Sequence, residues 1–168
     1  KQLPDTTGLK NEVVLQKKHQ HVYNHAIRMT GAQIIEVNSL EEMKSAVRDR
    51  TAMLAVFGDA AERGDVSVEQ MVEIGKRKGV PVFVDAAAER PDVPNAYLEA
   101  GADAVAYSGG KCLRGPQASG LVLGRRDLLW SAFLHGAPHH SIGRPMKAGK
   151  EEVMGLLAAV EMWVNRDH

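Results

Sequence analysis

Six short apolar runs punctuate the chain: "EVVLQ" (12–16), "QIIEV" (33–37), "AMLAVF" (52–57), "VPVFVD" (80–85), "DAVAYS" (103–108) and "SGLVLG" (119–124). Most are nearly continuous in apolar or β-branched residues rather than alternating, the pattern of strands covered on both faces. Helical patterns separate the first five. Residues 22–30 read as a short helix stopped by Gly31. Residues 39–49 follow a capping signal, in which Asn38 or Ser39 can accept from the first free N–H groups while Glu41 and Glu42 favour the first turn. Residues 67–78 carry Val68, Met71, Val72 and Ile74 at helical spacing and stop at Gly79. Residues 94–100 predict one more helix, closed by Gly101.

Strand–helix alternation of this kind predicts an α/β fold built on a mostly parallel sheet of six strands, with helices on both faces. The final pair breaks the rule. Only about ten residues separate Ser108 from Ser119, too few for a helical crossover, so "SGLVLG" is expected to run antiparallel to its predecessor. A helix over "RRDLLWSAFL" follows, then a loop rich in glycine, proline and histidine over residues 135–145. "KEEVMGLLAAVEMWVNR" closes the chain as an amphipathic helix. No internal repeat, low-complexity tract or interdomain linker interrupts this order.

Composition narrows the picture. The chain has 168 residues, enough for one domain with a real core, and its 21 basic and 21 acidic residues cancel. A neutral balance argues against a dedicated nucleic-acid binder. The single cysteine, Cys112, allows no disulfide within the chain, so a reducing, cytoplasmic setting is the expectation. No apolar run approaches the ~20 residues needed to span a bilayer. The polar start, "KQLPDTTGLK", does not read as a secretory signal and lacks an initiator methionine, as an internal piece of a longer protein or a processed chain would.

The candidate chemistry sits at two strand ends. "VPVFVD" ends in Asp85, and "DAVAYSGGK" ends in Ser108, two glycines and Lys111. In parallel sheets, ligands bind outside the carboxyl ends of strands. Each residue has a plain structural reading: the aspartate as a cap or turn former, the lysine as a solvated loop cation, the serine as a turn cap. Taken together they match one cofactor. Pyridoxal phosphate needs a lysine amine for its aldehyde, an acid beside its pyridine nitrogen, and hydroxyl or N–H donors for its phosphate. "HQHVYNH" also places His21 and His25 on one helical face, but no third-ligand motif accompanies them, and a metal is not expected. In "HGAPHHSIGRPMK", Arg144 either caps an exposed turn or clamps a carboxylate or phosphate through paired N–H donors. Cys112 reads as a small packing residue.

"VFVDAAAERP" followed, 26 positions from Asp85 to Lys111, by "SGGKCLRGPQASGLVLGRRDL" resembles the fold-type-I pyridoxal-phosphate enzymes. Within them the chain most resembles the bacterial selenocysteine synthase group and its relative D-glucosaminate-6-phosphate ammonia-lyase. "GRPMKAGKEEVMGLLAAVE", "LPDTTGLKNEVVLQ" and "YNHAIRMTGAQIIEV" extend the likeness over essentially the whole chain. The resemblance implies pyridoxal 5'-phosphate as cofactor, Lys111 as the Schiff-base lysine and proton shuttle, and Asp85 as partner of the pyridine nitrogen. It implies that Ala87 packs on one ring face and that Ser108 reaches the phosphate or steadies Lys111. A group on the opposite face should come from just after "EVVLQ", with His19 preferred to His21.

The family's sheet order is 3-2-4-5-6-7-1 with strand 7 antiparallel, and the six runs would be its strands 2 to 7. Residues 1–150 are then part of a cofactor-binding large domain, and residues 151–168 a helix leading towards a small C-terminal domain. The first strand and the main phosphate cradle would lie upstream of Lys1. A sheet lacking that edge strand invites pairing with another chain, and a homo-oligomer is the expectation. The implied activity is that of a lyase or transferase acting on an amino acid or amino sugar acid by α-proton abstraction and β-elimination. Selenium transfer on seryl-tRNA is the alternative within the family, less favoured for a neutral chain. A cofactor-free module with an interaction or oligomerisation role is the alternative outside it.

Overall fold

A computed structural model describes residues 2–166; Lys1 and the last two residues of the expected C-terminal helix, Asp167 and His168, lie outside the described residues. Six strands form one sheet: β1 (Glu12–Gln16), β2 (Gln33–Val37), β3 (Thr51–Phe57), β4 (Val82–Asp85), β5 (Ala104–Ser108) and β6 (Gly120–Gly124). Their order is β2-β1-β3-β4-β5-β6. Four of the five pairings are parallel, and β6 runs antiparallel to β5, from Ala104 opposite Gly124 to Ser108 opposite Gly120. This is the order that the family resemblance implied for strands 2 to 7. The helices are α1 (Asn24–Met29), α2 (Leu40–Ala46), α3 (Val68–Lys78), α4 (Ala96–Glu99), α5 (Arg126–His135) and α6 (Lys150–Val164). Among the described residues, no helix is long and apolar enough to cross a membrane.

Burial explains why the strands read as continuous apolar runs. All five residues of β1 are buried, whereas β2 and β6, at the sheet edges, expose part of their length. Alternate side chains point to opposite faces. Val14, Leu54, Val56, Val82, Val84 and Val105 therefore form one core with Met43 of α2, Met71 and Ile74 of α3, and Leu156 and Val160 of α6. Val13, Leu15 and Ala55 form a second, smaller core against Ile27 of α1. Helices cover both faces, but unequally.

Local chemistry sets most boundaries. Of the two candidates Ser39 is the cap, accepting from the N–H of Glu42, while Asn38 donates its own N–H to the Glu42 carboxylate that reaches back to it. Ser67 and Gln70 form a complete capping box at the start of α3, and Gly79 ends the helix in the left-handed conformation at φ 64°. Ser67→Ala should therefore cost about 1 kcal/mol, seen as a lower urea midpoint at unchanged slope. Other boundaries differ from the sequence reading. β4 starts at Val82 rather than Val80 because Pro81 has no N–H to give the ladder; its carbonyl instead accepts from Leu54. Short 3-10 turns over Lys17–His19, Gly58–Arg63 and Arg144–Met146 follow no apolar period and were not foreseen.

Candidate active site

The carboxyl ends of the parallel strands bring the chemistry together. Phe57 ends β3 and Asp85 ends β4, and the two stand directly opposite each other in the ladder. On its other side Asp85 pairs with Ala106 of β5, two residues before Ser108. Lys111 follows three residues after the end of β5. Its loop is closed by bonds from Arg114 N–H to the Lys111 carbonyl (2.9 Å) and from Gly115 N–H to the Gly109 carbonyl (2.7 Å).

The two glycines before Lys111 have a steric reason. A Cβ on Gly110 would stand 2.7 Å from the Gln117 Cα, and one on Gly109 would overlap the Ser119 hydroxyl and lie 3.0 Å from its carbonyl oxygen. Only glycine lets the loop fold back so closely onto the segment entering β6. Lys111 is thereby held at the sheet end, exposed, with no hydrogen bond or ion pair to its ammonium among the described residues.

Asp85 and Lys111 line one cleft of about 70 Å³, together with Ala87 and Ala88 from the loop after β4, Phe57, Asp59, His21 and Tyr23. One Asp85 oxygen, Oδ1, accepts from the Ala87 N–H at 3.0 Å, which sets the carboxylate's orientation. The His21 ring stacks on Tyr23 (centroids 4.8 Å apart) and on Phe57 (5.6 Å), making an aromatic wall. A larger groove of about 670 Å³ runs along α6, past Leu113, Ala159 and Met162, but no carboxylate lines it. The amine and acid pair marks the smaller cleft as the chemical one.

The structure separates the expected site residues. Asp85, Ala87 and Lys111 share the cleft. His19 does not line it; His21 does. The 3-10 turn directly after β1 rolls His19 into the interior, where it is 1% exposed, with Nδ1 3.4 Å from the Phe57 N–H and Nε2 3.4 Å from the Gln16 amide. Burial, then the nearby Arg63, push its pKa below the ordinary histidine value. His25 stands exposed on α1, and no group of three or more metal-binding side chains occurs among the described residues. Ser108 ends β5 opposite Gly120 and is not among the residues lining the cleft. Arg144 is half-buried in its 3-10 turn, also away from the lining. The Cys112 thiol lies 3.5 Å from the Ala88 carbonyl, a contact to the backbone of the cleft loop.

Sequence reading missed Tyr23, Phe57, Asp59 and Ala88. Phe57 could have been found, because it closes the "AMLAVF" run and so occupies the same strand-end position as Asp85. An amine, an acid, two small residues and an aromatic wall suit a flat heteroaromatic aldehyde whose ring nitrogen carries a proton, which is the chemistry of pyridoxal phosphate.

Comparison with known proteins agrees. The profile of the family described as aminotransferase class-V matches residues 12–144. A 5'-C-glycyluridine monooxygenase-decarboxylase from a Streptomyces species is 40% identical over 94% of this chain and 41% of its own length. The D-glucosaminate-6-phosphate ammonia lyase of Salmonella typhimurium is 36% identical over 95% of this chain and 44% of its own. A solved D-glucosaminate-6-phosphate ammonia-lyase structure superposes with a TM-score of 0.87 at 32% identity, over 99% of this chain and 47% of that one. An L-seryl-tRNA(Sec) selenium transferase from Geotalea daltonii is 34% identical over 65% of this chain and 28% of its own. The chain thus spans less than half the length of the relatives it matches.

Proposed function

Because the chain belongs to the aminotransferase class-V family of pyridoxal-phosphate enzymes, we propose that its cleft holds this cofactor and that the whole protein is a lyase or transferase acting at the Cα of an amino acid or amino sugar acid. The observation that carries the reading is the convergence of Asp85 and Lys111 on one cleft beside an aromatic wall.

What the cofactor supplies when bound is an electron sink conjugated to the substrate's amine. The residues of this chain do the rest. Lys111 would be the amine that holds the cofactor, and as a free amine it would serve as the base that takes the Cα proton and the acid that protonates the departing β-substituent. Asp85, turned by the Ala87 N–H, keeps a proton on the pyridine nitrogen and offsets the charge that develops there. His21, stacked with Phe57 and Tyr23, would form the aromatic wall of the ring site, and Ala87 and Ala88 would line it with small side chains. Ser108 serves the phosphate or steadies the Lys111 loop, and Arg144 clamps a substrate carboxylate or phosphate through paired N–H donors. His19 acts from beneath, as support for Phe57 and Gln16. Residues 1–150 are the part of the large domain that contributes these groups, in a cytoplasmic homo-oligomer.

Within this reading, ammonia loss is preferred to group transfer, on the likeness to the ammonia lyase in both sequence and structure. Full-length protein with pyridoxal phosphate and a panel of amino sugar acids and β-hydroxy amino acids should release ammonia and a keto acid in equal amounts. Absence of ammonia together with absence of Cα–H exchange into deuterated water would defeat the reading. The Streptomyces relative supports a second one, in which the Cα–carboxylate bond breaks and molecular oxygen is the oxidant. Carbon dioxide release coupled to oxygen uptake, in place of ammonia, is its signature.

A further inference from the structure

Glu89 lies four residues after Asp85, in the loop that gives Ala87 and Ala88 to the cleft, yet it is not among the residues that line the cleft. Its Oε2 accepts the Tyr97 hydroxyl of α4 at 2.7 Å. Its Oε1 is shut off from solvent and has no hydrogen-bond partner. That oxygen occupies the space over Gly58, the first residue of the 3-10 turn after β3: a Cβ there would overlap Oε1 and stand 2.7 Å from the carboxyl carbon. The loop between Asp85 and Glu89 is otherwise held by few bonds. The Ala87 N–H goes to Asp85 Oδ1, the Glu89 N–H to the Ala86 carbonyl (2.9 Å), the Ala86 N–H to the Ala106 carbonyl (2.9 Å) and the Cys112 thiol to the Ala88 carbonyl (3.5 Å).

We infer that Glu89 is a positioning residue: seated on the bare Cα of Gly58 and tied to Tyr97, it clamps the Asp85–Ala88 loop against the end of β3 and so fixes where the Asp85 carboxylate stands in the cleft. The inference rests on the reading of the cleft as a pyridoxal phosphate site. The clamp itself is a property of the chain and can be observed without cofactor.

The surroundings of Glu89 favour its uncharged form. Burial raises the Glu89 pKa above its ordinary value of 4.5; the Tyr97 hydrogen bond opposes this, and Asp59, Asp92 and Asp85 add to the rise. The groups that face it are these three acids, from the turn after β3, the loop after β4 and the end of β4, together with Tyr97 and the more distant Tyr107 of β5. No cation is among them. As pH rises from 4.5 through the raised value, Glu89 ionises; a bare buried oxygen then carries charge beside three carboxylates, and the loop loosens.

The test is amide hydrogen exchange on the full-length protein, free of cofactor and expressed as protection factors, with a pyridoxal phosphate titration beside it. Glu89→Ala should cut protection at Ala87 and Glu89 at least about tenfold, equivalent to ~1.4 kcal/mol, and weaken pyridoxal phosphate binding by a similar factor. Glu89→Gln keeps the acceptor and the volume. It should retain protection and affinity within about threefold, and lose the decline in protection that the parent shows as pH rises. Gly58→Ala displaces the flexible end of Glu89 rather than backbone, so it should loosen the loop about as much as Glu89→Ala, with little further effect when the two are combined. Unchanged protection in both Glu89→Ala and Gly58→Ala would overturn the clamp, as would fully additive losses. Lost protection without any change in pyridoxal phosphate binding would leave the clamp standing and fault the cofactor reading instead.

Discussion

Lys111→Ala in the full-length protein abolishes the covalent pyridoxyl adduct that borohydride traps in the parent, and turnover falls by at least about 10³-fold. Two roles are lost with one amine: the covalent hold on the cofactor and the proton transfer at Cα, and general acid–base catalysis alone contributes roughly 10²–10⁴-fold. The loop needs little from the lysine side chain. Its turn is closed by backbone bonds at Arg114 and Gly115 and by the close approach of Gly109 and Gly110 to the segment before β6. The variant should therefore fold like the parent, which far-ultraviolet circular dichroism and thermal melting would check. Peptide mapping after reduction decides the assignment. An adduct that persists in Lys111→Ala, or that maps in the parent to Lys147 or Lys150 alone, removes Lys111 from the reaction.

The second large effect belongs to Asp85. Asp85→Asn keeps an oxygen to accept the Ala87 N–H, so the loop and its place opposite Phe57 are retained. It removes the charge. An amide cannot hold the pyridine nitrogen protonated, and the electron pair freed at Cα is less well stabilised. A preorganised electrostatic partner of this kind is worth about 10²–10³ in turnover. The expected outcome is that loss with cofactor still bound, seen as a retained borohydride adduct on Lys111. Turnover within about threefold of the parent would show that no ionised partner is required at that nitrogen.

How much of this was legible differs from one residue to the next. The parallel strands were legible because both of their faces are buried, so that "EVVLQ" and "AMLAVF" could not alternate. The antiparallel turn of β6 was legible because the "GGKCLRGPQA" segment is too short for a crossover and rich in glycine. Asp85 and Lys111 were legible because each sits just past an apolar run, and parallel topology sends both run ends to the same side of the sheet.

His21 was not legible over His19. Choosing between them requires knowing that the chain enters a 3-10 turn at Lys17, and no apolar period announces so short a turn. The aromatic stack of His21, Tyr23 and Phe57 joins residues more than 30 positions apart, and nothing in either segment names the other. The Glu89 clamp is the extreme case. A glycine at position 58, an acid at 89 and a tyrosine at 97 carry no mutual signal along the chain, and become one device only where β3, the loop after β4 and α4 meet. Local order, strand direction and the acid and amine that end up lining one cleft follow from short-range patterns of burial and turn chemistry, which neighbouring residues decide among themselves. Which histidine reaches the cleft, and what steadies the acid inside it, depends on steric contacts between distant segments, and those exist only once the sheet has brought the segments together.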